Sequence, residues 1–358
     1  MRKISSTQFV AMLITCRLFV TMTYSPVGSE NNLLAILAIA LSSVVQSLMI
    51  IIPLLLYRIT PQMNVVENGY CISKPLGYLY SLVYGLYTMW IGISVLVNFS
   101  LFMKLAFPVF HSEISIVISL AAVGLYAACL GIQPTGRSSV LVMILFVAMI
   151  VAVVLGASGK IKPNELHLAT ENLPKMFASD TFEEIGRNAE LCAVAFLLPH
   201  LRKNQTAATY SYLAVKLVAV TFIVFLYTSI LGNYAYTAKL PFYHLSSYSK
   251  TTVIERFGAL FLILWTMAAV IKLALFIYIS GTCLKFSFPA MSSVKAKLIV
   301  TVIATFTAMA FLTLNLWDVV QNMLFETISI IVLVGIIPLI TLIIQFVRKE
   351  KKHEKKQA

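Results

Sequence analysis

The chain has 358 residues, of which 59% are hydrophobic and only 11% are charged, and its mean hydropathy is +0.90. Soluble domains contain roughly 45–50% apolar and about 25% charged residues, so a water-surrounded core cannot hide this much apolar surface. The composition excludes a soluble globular protein and indicates an integral membrane protein, in which the formal net charge of +13 has to be interpreted by position.

Apolar stretches of about 20 residues are long enough to cross a hydrocarbon core of roughly 30 Å. Ten such spans are predicted in chain order: 7–26, 33–57, 77–106, 114–133, 139–157, 186–201, 210–232, 256–280, 297–316 and 327–347. They occupy most of the chain, so we predict one transmembrane domain over 1–347 and a basic tail over 348–358. The short segment GIQPTGRSSV, 131–140, is expected to be a turn between the fourth and fifth spans.

The first span carries an internal Arg17 and lacks a small-residue cleavage pattern, which favours a retained helix over a signal peptide. With the N-terminus inside, the inner segments are basic, and they end in the tail RKEKKHEKK. The outer segments are mixed or acidic, and they include the stretch 160–184, which ends at Glu184, and Asp318 with Glu326. This positive-inside asymmetry predicts that both termini are cytoplasmic and that the tail faces anionic lipid and not nucleic acid.

Two halves of five spans, 1–157 and 158–347, would lie in the membrane with opposite orientation. Inverted repeats of this kind are common in secondary transporters, and the first helix of each half is often interrupted near the midplane. Polar residues interrupt VAMLITCRLFVTMTYSP (10–26) and IGRNAELCAVAFLLPHL (185–201). We therefore predict discontinuous helices 1 and 6. The outer connection 158–184 is either a short helix over a vestibule or a plain connector.

An arginine near the centre of a span costs about 2.5–3.5 kcal/mol on insertion scales, so Arg17 should face the protein interior and find a partner. Glu190, at the corresponding depth in the other half, is the expected partner. In one interpretation the two frame a ligand cavity, and Arg17 receives a carboxylate. In the other they form a fixed ion pair that never touches ligand. Both predict that losing either residue alone is damaging.

Three tyrosines of the third span, Tyr80, Tyr84 and Tyr87, recur at spacings of four and three and share one helix face. Inward tyrosines can close over a small ligand, whereas an aromatic stripe also serves packing or an interface belt. Tyr84 and Tyr87 are retained as candidate ligand-binding residues. Of two intramembrane lysines, Lys272 is either interfacial or buried, and Lys216 is expected to reach the headgroups by snorkelling.

Enzyme signatures are missing from the sequence: it contains no GxSxG, HExxH or phosphate-cradling glycine-rich loop, and its histidines are dispersed. The scattered cysteines form no CxxC pair, so neither a disulfide framework nor a metal site is expected. The cysteines are Cys16, Cys71, Cys129, Cys192 and Cys283. We expect a protein that is not an enzyme and that carries no cofactor.

Several stretches together resemble the B-subunit family of bacterial spore germination proteins, the amino acid permease-like subunits of germinant receptors. They are ISSTQFVAMLITCR, PLGYLYSLVYGLY, GIQPTGRSSVLVMILFVAMIVAVVLG, ENLPKMFASDTFEEIGRNAELCAVAFLLPHL and VIERFGALFLILWTMAAVIKLALFIY. The similarity runs over nearly the whole chain and rests on the order and spacing of these segments.

The resemblance implies an all-α, LeuT-like fold of the amino acid/polyamine/organocation superfamily, with ten helices in a five-plus-five inverted repeat. It also implies the endospore inner membrane, an A subunit and a lipoprotein C subunit as partners, and a small nutrient, often an amino acid, as ligand. By position, the helix breaks and ligand contacts correspond to Thr15, Cys16, Arg17, Leu18, Asn188, Ala189 and Glu190. Many members have a glycine-containing first break where this chain has CRLFVTMTYSP, so Arg17 would replace a backbone amide nest for a carboxylate.

Three functions follow as hypotheses. The chain is a germinant-sensing subunit, a free-standing amino acid permease that couples uptake to an ion gradient, or a scaffold whose cavity is collapsed by the Arg17 to Glu190 pair. Vesicle uptake separates the first two hypotheses, and stabilisation of the purified protein by one ligand excludes the third.

Overall fold

The structure is a computed structural model that describes residues 3–23, 32–107, 112–162, 173–232, 234–237, 240–248 and 257–357. Within these ranges the secondary structure is helical, as expected for a chain whose backbone groups must be satisfied without water. One isolated parallel bridge joins Ile4 to Leu201. The prediction of an all-α membrane protein is confirmed.

Seven helices form the first half of the chain. They are α1 (Ser6–Thr23), α2 (Asn32–Met49), α3 (Ile51–Ile59), α4 (Val65–Ile72), α5 (Lys74–Ala106), α6 (Glu113–Leu130) and α7 (Ile132–Ala157). A short 3₁₀ turn, Ser158–Lys160, follows α7. The short α4 begins with a capping box, in which the Asn64 side chain accepts from the Glu67 amide and the Glu67 side chain accepts from the Asn64 amide.

Ten helices form the second half. They are α8 (Leu173–Gly186), α9 (Glu190–Leu197), α10 (Gln205–Leu231), α11 (Tyr234–Thr237), α12 (Pro241–Tyr248), α13 (Phe257–Ser287), α14 (Ser293–Thr313), α15 (Trp317–Val320), α16 (Met323–Ile330) and α17 (Ile337–Gln357). A 3₁₀ turn, Leu198–His200, extends α9, and a π-helical segment, Ile331–Ile336, joins α16 to α17.

Nine helices in the described residues are long and apolar enough to cross a membrane, and the shorter Glu190–His200 corresponds to the sixth predicted span. One boundary was wrong. The turn predicted at 131–140 is confined to Gly131, whose φ of 95° suits glycine, and α7 already begins at Ile132. Pro134 is tolerated there because the first turn of a helix needs no backbone donor.

Helix α1 runs unbroken through Thr15, Cys16, Arg17 and Leu18, so the interruption predicted there is wrong. The polar residues that suggested a break are satisfied within the helix. The hydroxyls of Thr15, Thr21 and Thr23 donate to carbonyl oxygens four residues earlier, at 2.7, 3.1 and 2.6 Å. Residues 24–26 of the predicted span lie outside the described residues.

The interruption predicted in the sixth helix is confirmed. Helix α8 ends at Gly186, the next three residues are not helical, and α9 starts at Glu190. The predicted span 186–201 contains the break and α9 but not α8, which precedes the break. Of the connection 158–184, residues 163–172 lie outside the described residues, and the remainder includes most of α8, so the connection contains a helix and is not a plain connector.

Packing places α1 and the broken helix in the middle of the molecule. Helix α1 contacts α7, α10 and α13, and α13 also packs against α5, α6 and α14. The backbone of Ile4 bonds to His200 and Arg202, so the start of α1 and the end of α9 share one face of the protein. We call this face the N-terminal side; α1 crosses from it towards the opposite side.

Candidate functional site

A large open cavity of about 830 Å³ lies on the side opposite the N-terminal side, beyond the last turn of α1. We call this cavity the vestibule. Its wall contains both polar and apolar residues. They are Thr23, Asn98, Leu101, Phe102, Lys104, Leu105, Ser179, Phe182, Glu183, Arg187, Leu240, Trp317, Gln321, Met323 and Leu324. Helix α8 forms one side of it, which places the first half of the broken helix at its entrance.

A second cavity, of about 50 Å³, lies deeper, at the break itself. We call it the inner cavity. Its wall consists of Phe19, Val20, Ile91, Ser94, Val95, Asn98, Gly186, Arg187, Ala189, Lys272, Val320, Met323 and Glu326. Asn98, Arg187 and Met323 belong to both cavities, so the two are adjacent. A ligand entering the vestibule would reach the break in the membrane interior.

An aromatic stack separates the inner cavity from the protein core. The ring of Trp265 stacks on those of Phe19, Phe99 and Phe102, at centroid distances of 5.1, 4.9 and 3.9 Å. The indole N–H of Trp265 donates to the Thr23 hydroxyl at 2.9 Å. Because Phe19 lines the inner cavity and Phe102 the vestibule, this stack fixes the wall that both share.

A buried ion pair holds the second half of the broken helix. The Lys272 ammonium of α13 donates to Glu190 Oε1 at 2.7 Å, and both side chains are almost fully buried. Of the two roles considered for Lys272, the buried one is therefore correct. Lys272 lines the inner cavity, whereas Glu190 does not, and Glu190 Oε2 has no hydrogen-bond partner among the described residues.

A second cluster holds the first half of the broken helix. Arg17 donates to Glu184 Oε1 and to the Arg187 carbonyl oxygen, at 2.5 and 2.6 Å. The predicted Arg17 to Glu190 pair is therefore wrong, because Arg17 pairs with Glu184, six residues earlier and before the break. The prediction that Lys216 snorkels is also wrong: it is fully buried, 3.9 Å from Glu184 Oε1.

Gln46 connects this cluster to the break. Its side-chain oxygen accepts from the Lys216 ammonium and from the Asn188 amide, both at 2.8 Å. The Asn188 oxygen in turn accepts from the Tyr212 hydroxyl at 2.5 Å. Asn188 thus supports the non-helical backbone through α2 and α10 and does not line the inner cavity, whereas its neighbour Ala189 does.

The other predicted site residues lie outside the walls of the two cavities. Cys16 and Leu18 are buried in α1, and Thr15 faces the carbonyl oxygen of Ser139 on α7. These three and Arg17 line neither cavity. The Tyr84 hydroxyl donates to the carbonyl oxygen of Leu333, so this tyrosine holds the π-helical segment that joins α16 to α17.

Tyr87 acts through a carboxylate that the sequence did not single out. Its hydroxyl donates to Glu326 Oε2 at 2.9 Å, and the Trp90 indole N–H donates to Glu326 Oε1 at 3.0 Å. Glu326 and Glu184 were missed because both were assigned to the outer segments. The spacing of Tyr87 and Trp90 on one face of α5 was a usable signal for a polar partner on that face.

In the described part of the chain, no group of three or more His, Cys, Asp or Glu side chains is arranged to hold a metal ion. Arg17, Arg187 and Lys272 instead form ion pairs, and Glu326 accepts hydrogen bonds from neutral donors. The arrangement offers a small space with cationic and anionic groups in its wall, which suits a small polar ligand.

Known structures with a similar fold are membrane transporters. MhsT in complex with L-phenylalanine matches with a TM-score of 0.62 and 13% identity, over 97% of this chain and 99% of that one. Mhp1 in its inward-facing conformation matches with a TM-score of 0.60 and 13% identity, over 94% and 76%. Mhp1, a nucleobase-cation-symport-1 family transporter, in a closed conformation with bromovinylhydantoin bound gives 0.61 and 14%, over 94% and 78%. The LeuT-like fold is confirmed.

No individual curated protein matches the sequence. A protein family described as "Spore germination protein" matches residues 3–319, which is most of the chain. The match includes α1 and the broken helix, and it ends before the cavity residues Val320, Gln321, Met323, Leu324 and Glu326. The chain therefore belongs to the spore germination protein family.

Proposed function

We propose that this protein is the B subunit of a nutrient germinant receptor, and that it binds a small nutrient in the inner cavity and thereby triggers spore germination. One observation carries the proposal: the inner cavity lies at the break in the sixth helix and adjoins the vestibule. In LeuT-like proteins such breaks supply binding groups at the membrane midplane. Membership of the spore germination protein family supplies the biological setting.

The size and charge of the inner cavity favour a nutrient of few atoms. A volume of about 50 Å³ is far below the roughly 300–1,000 Å³ of pockets for drug-sized ligands. The wall includes Arg187, Lys272 and Glu326, so it offers both signs of charge. A small amino acid, which carries one charge of each sign, fits this wall better than a large apolar molecule.

The proposed ligand acts on an equilibrium between two arrangements of the helices. Helix α8 is tied to α1 through Glu184 and Arg17, while α9 is tied to α13 through Glu190 and Lys272. A ligand in the inner cavity would contact Gly186 of α8 and Lys272, the residue that holds α9. Its differential affinity for the two arrangements limits the shift that it produces. We propose that this shift is passed to the A subunit and the lipoprotein C subunit in the endospore inner membrane, with both termini in the cytoplasm.

A thermal-shift screen of the purified protein with single amino acids, sugars and nucleosides tests ligand binding. At least one nutrient should raise the unfolding temperature of the natural chain. A neutral double variant, Lys272→Met with Glu190→Gln, should lose this protection, because it removes the Lys272 ammonium from the wall of the inner cavity while leaving neither member of the pair as an unpaired buried charge.

Lys297→Met is the matched control. Lys297 is also a buried lysine, but it donates to the Ala128 carbonyl oxygen at 2.8 Å and lines neither cavity. Protection should persist in this variant. Equal protection of the double variant and the natural chain would place the nutrient elsewhere, and the absence of protection by any nutrient would contradict the proposed function.

The second candidate is a free-standing, ion-coupled amino acid permease, and the transporter fold favours it. Uptake of radiolabelled amino acids into vesicles that contain only this chain separates the two. Gradient-driven accumulation would favour the permease. Binding without accumulation would favour the receptor subunit. The scaffold hypothesis loses its original basis, since Arg17 and Glu190 do not form the pair that was to collapse the cavity.

A further inference from the structure

Glu326 differs from the other charged groups of the inner cavity in forming no salt bridge with a described residue, and the nearby Lys272 ammonium, which acts on it electrostatically, is bonded to Glu190 instead. Arg187 is paired with Glu183 at 3.1 Å, and Lys272 with Glu190 at 2.7 Å. In the described ranges, no salt bridge involves Glu326. Its exposure is only 6%, so water compensates little of its charge.

Both side-chain oxygens of Glu326 accept hydrogen bonds from neighbouring side chains. The Trp90 indole nitrogen can only donate, so Oε1 is an acceptor, and the Tyr87 hydroxyl donates to Oε2. Each carboxylate oxygen can accept two hydrogen bonds, and each receives one from these side chains. Two neutral donors orient the group and leave acceptor capacity towards the inner cavity, which Glu326 lines.

The next residue along α16, Thr327, fixes the position of Glu326. The Thr327 hydroxyl donates to the Phe182 carbonyl oxygen of α8 at 2.8 Å, and Gly186 allows α16 to approach α8 closely at the same point. Trp90 is itself packed edge-on against Phe311 and Phe325. A binding group must be fixed by its surroundings to select a ligand, and Glu326 meets this condition.

We propose that Glu326 is the receptor for a cationic nitrogen of the ligand, so that the nutrient class is a small primary ammonium compound, an α-amino acid or a simple amine. This inference rests on the proposed function and deepens it by excluding uncharged sugars and nucleosides as primary ligands. A ligand ammonium would supply the missing countercharge and donate to the free acceptor positions of both carboxylate oxygens.

The charge requirement is tested first on the unaltered protein, with pairs of compounds that differ only at the nitrogen. Glycine and L-alanine are compared with glycolate and L-lactate, in which a hydroxyl replaces the ammonium group, and ethanolamine with ethylene glycol. Glucose and inosine serve as uncharged nutrients. The ammonium compounds should raise the unfolding temperature and their hydroxyl counterparts should not.

The residue is tested with Glu326→Gln, which keeps the side-chain length and an acceptor for Tyr87 or Trp90 but removes the charge. The affinity for the protecting ammonium compound should fall about tenfold or more, as expected for the loss of a charge-assisted hydrogen bond. Glu67→Gln is the matched control, because Glu67 lies in α4, away from both cavities, and its loss should leave the affinity unchanged.

Each possible result supports or contradicts at least one of the two proposals. Protection by an uncharged nutrient that the Lys272→Met, Glu190→Gln double variant abolishes would overturn this inference and leave the proposed function intact. Stabilisation by Na⁺ or K⁺ alone that requires Glu326 would also overturn it, since the site would then take an inorganic cation. Unchanged affinity in Glu326→Gln would do the same, and a lack of any response to the whole panel would reject both proposals.

Discussion

At the scale of single residues, one carboxylate serves two buried cations. Glu184 accepts from Arg17 at 2.5 Å and lies 3.9 Å from Lys216. The oxygen Oε2 of Glu184 has no partner among the described residues. Because the bilayer interior disfavours uncompensated charge, these three residues form a unit in which the carboxylate is the member that cannot be replaced.

The unit predicts an order of damage for three substitutions. Glu184→Gln leaves two buried cations unpaired and should lower the stability most, by about 3–5 kcal/mol. Arg17→Met should cost less because Lys216 can compensate Glu184. Lys216→Met should cost least, because the closer Arg17 pair remains. Thermal unfolding of the detergent-solubilised variants measures the order.

Lys272→Met provides the comparison, since it breaks the other pair and leaves Glu190 without a cation. Its cost should approach that of Glu184→Gln. A reversed order, with Lys216→Met more damaging than Glu184→Gln, would show that the lysine and not the carboxylate organises the cluster.

At the scale of elements, the broken helix depends on a close contact with α16. A Cβ atom at Gly186 would lie 2.4 Å from the Thr327 hydroxyl oxygen and 3.0 Å from the Met323 carbonyl oxygen. Thr327 cannot withdraw freely because its hydroxyl is bonded to the Phe182 carbonyl oxygen. The glycine therefore sets the distance between the entrance helix α8 and the helix that carries Glu326.

Gly186→Ala should push α8 away from α16 and destabilise the protein by about 1–3 kcal/mol, as overpacking does. Ligand affinity should fall as well, since both helices line the inner cavity. Gly335→Ala is the control: it lies in the π-helical segment, where an added Cβ meets no atom within 4 Å, and its unfolding temperature should stay near that of the natural chain. Equal effects of the two would argue against the packing explanation.

The sequence predicts the fold of this protein better than it predicts the candidate site. Apolar length alone located the nine long spans of the described residues, and polar residues at 186–190 located the break in the sixth helix. The same logic failed at Arg17, because threonine hydroxyls satisfy the helix there and partners come from α8. Glu184 and Glu326 were assigned to outer segments, since acidic residues near span ends resemble loop residues until packing shows them buried.

At the scale of the whole molecule, the two faces are distinguished by charge and by the vestibule. Helix α5 starts beside α4 on the N-terminal side and ends near Lys104 at the vestibule. On the N-terminal side, Arg348 at the end of the last span donates to the carbonyl oxygens of Cys71 and Ile72, at 3.1 and 2.8 Å. The basic tail follows Arg348, so we predict from the positive-inside rule that Cys71 faces the cytoplasm and that the vestibule opens on the other side of the membrane.

Cysteine labelling measures this orientation. Cys71 is exposed, whereas Cys16, Cys192 and Cys283 are buried. In right-side-out vesicles of a Cys129→Ser variant, a membrane-impermeant maleimide should not react with Cys71 until the membrane is permeabilised. With Cys71→Ser added and Ser179→Cys introduced in the vestibule, the same reagent should react without permeabilisation, because Ser179 lies in the exposed part of α8.

The pair of variants makes the result independent of reagent access, since each serves as the control for the other. Immediate labelling at Cys71 together with protection at position 179 would invert the topology. The vestibule would then open to the cytoplasm, and a nutrient arriving from outside the spore could not use it. Labelling at both positions in sealed vesicles would instead show that they are not on opposite sides, which contradicts the path of α5 across the membrane.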